Sequence, residues 1–72
     1  MQEKLKSIRM GKDESQEFVA KLINVDVRTY QNKEMGITQF KANEMFIIAN
    51  HYHMLIDEIF LPTNFEKHEV SA

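Results

Sequence analysis

Residues 15–36 read SQEFVAKLINVDVRTYQNKEMG, and the way this stretch divides decides the fold. Apolar residues recur at helical spacing through Val19, Leu22 and Ile23. The pattern breaks over Asn24, Val25 and Asp26, with Val25 pointing inward, and a second helical pattern follows. Asn24 tolerates the left-handed backbone that ends a helix, though less well than glycine. Asp26 is a residue type that caps the start of the next one. Two helices joined by so short a break are forced to cross at a steep angle. The second then stands out from the body, with Arg28, Thr29, Gln31, Asn32 and Lys33 on its polar face. Such a helix suits the major groove of DNA, where Arg reads guanine and Asn or Gln reads adenine.

The same periodicity runs through most of the chain. A first helix is expected over 2–10 around Leu5 and Ile8, with Gly11 as a left-handed C-cap. Asp13 and Ser15 are both candidate N-caps of the second helix, and Ser15 fits better. The third helix should run to about Met35 and close on Gly36. Residues 37–40 read as a loop whose Phe40 plugs the core. A fourth helix over 42–52 places Met45, Ile48, Ala49 and Tyr52 on one face. A short fifth carries Ile56, Ile59 and Phe60 and is stopped by Pro62. Met10, Met35, Met45 and Met54 read as gap-fillers of the core or its rim. The fold class is therefore all-α, a compact five-helix bundle with a helix-turn-helix. The domain is expected over 1–62, with a loose polar tail over 63–72.

Composition narrows the class of molecule. Seventy-two residues are expected to make one small domain with a thin core, without a ligand-sensing module. The absence of cysteine removes disulfides and thiolate metal sites and fits a cytoplasmic location. No apolar run approaches the roughly 20 residues of a membrane span, and the start MQEKLKSIR lacks the apolar core of a signal peptide. The net charge of −2 argues mildly against a nucleic-acid partner, but it is unevenly spread. Residues 1–11 carry +2, residues 12–41 carry 0 and residues 42–72 carry −4. A basic front and an acidic back can orient a domain on a phosphate surface, with modest attraction. His51 and His53 are two apart and face different directions on a helix, so with His68 they make no metal site. No Gly-rich phosphate loop or Ser-His-acid set is present, and neither an enzyme nor a cofactor is expected.

The order Gln16, Ala20, Asn24, Val25, Asp26, Tyr30, Glu34, Gly36 resembles the helix-turn-helix core of Cro and phage-repressor-type regulators, the XRE family. The flanking segments LKSIR, FKANE, IIA and LIDEIF are similar to that family's outer helices, so the resemblance covers roughly residues 4–61. It is strongest to small prophage regulators of Gram-positive bacteria. Four positions depart from the family: Asn24 and His53 replace common glycines, and Lys41 and Leu55 replace hydroxyl N-caps. The resemblance implies a lambda-repressor-like DNA-binding domain, a transcriptional regulator that binds a palindromic operator as a homodimer.

By family position, Val27, Arg28 and Asn32 are the base-edge readers. Arg28 would pair with guanine O6 and N7, Asn32 with adenine N6 and N7, and Val27 would pack on a thymine methyl. Gln16, Thr29, Gln31, Lys33, Thr38, Gln39 and Lys41 are candidate phosphate contacts. The plain alternative for all of them is a solvated surface, and for the more distant Lys4 and Lys6 it is at least as good. The resemblance also implies that Arg9 and Glu34 pair across the first and third helices as a structural brace. Ile56, Phe60, Leu61 and Phe65 give the C-terminal end excess apolar surface and are candidates for a two-fold dimer contact. A rival reading keeps the fold but turns it on a protein partner, as an antitoxin or anti-repressor would.

Overall fold

A computed structural model describes residues 1–60. Its described residues form five helices: α1 Glu3–Gly11, α2 Gln16–Leu22, α3 Val27–Met35, α4 Ala42–Tyr52 and α5 Ile56–Ile59. Leu5, Val19, Ala20, Ile23, Tyr30, Phe40, Ile48, Ala49, Tyr52, Ile59 and Phe60 share one core. Their spacing explains the helices. Val19 and Ala20 of α2 continue into Ile23 just past its end as one stripe, and Ile48, Ala49 and Tyr52 make one stripe of α4.

Each of the four connections turns on one left-handed residue: Asp13 at φ 58°, Asn24 at φ 61°, Gly36 at φ 86° and His53 at φ 57°. Gly11, expected to cap α1, instead lies inside the helix, and the left-handed turn falls on Asp13 two residues later. Asp tolerates that conformation because its short polar side chain can bond locally. The first connection needs no glycine for this reason.

The helix starts follow from local chemistry. Ser15 Oγ accepts the Phe18 amide at 3.0 Å and caps α2. Lys41 and Leu55 cannot accept, yet α4 and α5 begin directly after them. Here the carboxylate three residues on reaches back. Glu44 accepts the Lys41 amide and Glu58 accepts the Leu55 amide, both at 2.9 Å. This is the acidic half of a capping box, and it satisfies the amide of the capping residue without the hydroxyl half.

Two expectations about apolar residues are corrected. Met10 and Met35 are 56% and 49% exposed, so only Met45 and Met54 serve the core. Phe60 is buried, its ring 5.1 Å from Phe40 in an edge-on contact, and Phe40 in turn meets Tyr30 at 6.0 Å. A side chain wedged there is no free dimer surface. Leu61, Phe65, Pro62, His68 and the expected tail lie outside the described residues. No helix among the described residues is long and apolar enough to cross a membrane.

Candidate nucleic-acid interface

α3 divides cleanly by burial. Tyr30, Lys33 and Glu34 are buried, while Val27 and Arg28 are exposed and Thr29, Gln31 and Asn32 are half-exposed. The outward set 27, 28, 31 and 32 keeps helical spacing, so one largely polar face of α3 is turned away from the core. Asp26 opens the helix. Its carboxylate bonds the Thr29 hydroxyl, and that contact, above a small opposing effect of burial, holds the carboxyl below its ordinary range.

The inward face of α3 is locked by a polar network centred on Glu34. Arg9 Nε donates to Glu34 Oε2 at 2.9 Å and Arg9 Nη2 to Oε1 at 3.3 Å, a two-pronged pair across α1 and α3. Tyr30 OH donates to Oε2 at 2.8 Å, and Gln16 Nε2 donates to Oε1 at 2.9 Å. Burial works to raise the Glu34 pKa, but the bonds from Arg9, Gln16 and Tyr30 outweigh it and hold the group below its ordinary value. Burial and the adjacent carboxylate push the Tyr30 phenol up, so it stays a donor. Gln31 Nε2 then donates to Gln16 Oε1 at 3.0 Å, which links the network to the outward face.

A second network sets the segment that leads into α2. Glu14 accepts from Tyr52 OH at 2.7 Å and pairs with His51 Nε2 at 2.9 Å. Its own carbonyl accepts Arg9 Nη1 at 2.8 Å. Burial works to raise the Glu14 pKa, but the bonds from Tyr52 and His51 hold it below its ordinary value. The ring of Phe18 lies 5.6 Å from that of His51 in a tilted contact.

The structure sorts the predicted phosphate contacts unevenly. Thr38, Gln39 and Lys41 are exposed in the loop after Gly36. Gln16 and Gln31 are bonded to each other, but each amide nitrogen carries two hydrogens and can still donate outward. Thr29 gives its hydroxyl hydrogen to Asp26, so in this arrangement it offers no donor to a phosphate. Lys33 is a correction. It is 6% exposed, its ammonium is 3.0 Å from Glu44, and it lies on the inward face. Its spacing of three from Tyr30 carried that signal, but a lysine beside Arg28 and Asn32 reads as outward by residue type. Glu44 was missed as well, although it shares the stripe 44, 48, 52 with Ile48 and Tyr52.

No family model matches the chain, and no curated protein does. Among solved structures, the chain is similar to a crystal structure of a transcriptional regulator from Listeria innocua. The TM-score is 0.76 at 21% identity over 96% of this chain and 71% of that one. Identity at that level shows a shared fold.

Proposed function

We propose that the chain is a sequence-specific DNA-binding transcriptional regulator of the Cro-like, prophage type. One observation carries this reading. The free face of α3 holds Val27, Arg28 and Asn32 outward, while its other face is braced by buried hydrogen bonds. A helix with a rigid back and a free face of Arg and Asn suits base-edge recognition. Arg28 reads guanine, Asn32 reads adenine and Val27 meets a thymine methyl. Gln16, Gln31, Thr38, Gln39 and Lys41 hold phosphates. The similarity to the Listeria innocua regulator supports the class.

The operator is a palindrome bound by a homodimer. With Phe60 buried, the two-fold surface moves to the outer side of α4 and α5. Phe46 and Leu55 are 65% and 68% exposed there, beside a groove lined by Ala49, Met54 and Ile56. The occupant is a second copy, because one helix reads only a half-site and a dimer sets two of them about 34 Å apart. The same apolar face, with the acidic character of residues 42–72, gives the protein-partner reading its one specific support.

Substitutions on the α3 face test the main reading. Arg28→Ala and Asn32→Ala should each cost about 1–3 kcal/mol of operator affinity and relax base preference at one position. The check is fluorescence anisotropy on operator variants. Unchanged DNA binding together with loss of a protein partner would move the assignment to the rival class.

A further inference from the structure

A buried charge pair at the end of α3 lies outside the DNA contacts proposed above. Lys33 Nζ is 3.0 Å from Glu44 Oε1, with the two side chains 7% and 6% exposed. Lys33 also donates to the Gln39 carbonyl at 3.1 Å and stands 5.8 Å from the centroid of the Phe40 ring. The same Glu44 oxygen accepts the Lys41 amide at 2.9 Å. One carboxylate thus joins α3, the loop 36–41 and α4. At the loop's other end, the amides of Ile37 and Thr38 donate to the Asn32 carbonyl at 2.9 and 3.3 Å. Between these anchors the side chains of Thr38 and Gln39 are exposed, and so is that of Lys41.

Packing alone gives little reason for ions here. A buried ion pair can often be replaced by apolar residues of similar size with no loss of stability. What the ions supply is geometry, because each bonds a specific backbone group of the loop. We propose that Lys33 and Glu44 are positioning residues for DNA-backbone contact. They touch no DNA. They hold the loop 36–41 so that Thr38, Gln39 and Lys41 meet phosphates in register with the reading face of α3. The inference rests on the DNA-binding function proposed above and extends it, turning Lys33 from a contact into a clamp.

Two variants and two readouts test it. Lys33→Met keeps the apolar stem and removes the charge, and Glu44→Gln keeps an oxygen that can accept the Lys41 amide. Without DNA, amide exchange at Ile37, Thr38 and Lys41 should quicken about tenfold in Lys33→Met, with α2 unchanged. With operator DNA, affinity should fall about tenfold in either variant. The slope of log K against log salt should shrink by about 0.9 for each phosphate lost, with base preference intact. Glu44→Gln separates clamp from contact. A Lys33 that bound phosphate directly would be released by Glu44→Gln and would bind DNA more tightly. Tighter binding by Glu44→Gln, or unchanged loop exchange in folded Lys33→Met, overturns the proposal. Glu44→Gln carries both readouts if Lys33→Met does not fold. A parent chain that binds no DNA counts against the function itself, and amide exchange still decides whether the clamp orders the loop.

Discussion

Glu34 takes hydrogen bonds from three side chains on three helices, and this makes it the residue most sensitive to change. Glu34→Ala strands Arg9 in the core and should cost about 3–5 kcal/mol, a large part of the stability of so small a domain. Urea unfolding measures the loss. The folded-state pKa values of Glu34 and Glu14 both lie below the ordinary 4.5. The unfolded chain therefore takes up protons first as pH falls. Their contribution is complete above about pH 4.5 and disappears as pH drops through the lower folded values. Stability measured from pH 6 downward should fall on that limb, and Glu34→Gln should make the fall shallower. An identical acid limb in parent and variant would show that Glu34 is not the group responsible.

At the scale of the element, the turns are the exposed points of the design. Gly36 sits at φ +86°, and a Cβ there would come within 3.1 Å of the Met1 backbone nitrogen. Gly36→Ala should cost about 1–2 kcal/mol through left-handed strain alone. His53 occupies the same kind of position at φ 57° with a side chain in solvent. His53→Gly should change stability in the opposite sense, by up to about 1 kcal/mol, since strain is relieved while the unfolded chain gains freedom. Thermal melts of the two variants give both signs. The contrast also shows what was legible in the sequence. Asn24, Gly36 and the Ser15 cap were readable because they act within a few residues of themselves. The start of α2 and the end of α3 followed from them. For Lys33 the spacing from Tyr30 pointed inward, but its partner was not readable, because Glu44 lies eleven positions away on another helix and only the folded chain brings the two together. Phe60 was misplaced for the same reason. Its ring meets Phe40 edge-on, and Phe40 belongs to the loop before α4.

For the whole molecule, charge and assembly set the terms of binding. With a net charge of −2, the chain lacks a broad basic field, so under the proposed reading affinity comes from a few well-placed groups and from the pairing of two copies. Phe46→Glu and Leu55→Glu place charge on exposed α4–α5 surface away from the core. Each should leave the fold intact, hold the chain as a monomer by light scattering and weaken operator binding. A parent chain that stays monomeric on operator DNA would remove the two-fold model without touching the α3 contacts. Whether the outward face of α3 reads DNA sequence, as proposed, is decided by selection of bound sites from random duplex DNA. The expected result is one enriched palindrome whose affinity falls steeply with salt, by about 0.9 in log K per log unit of salt for each phosphate neutralised. A pool that stays unenriched, with no salt-dependent binding, would contradict it.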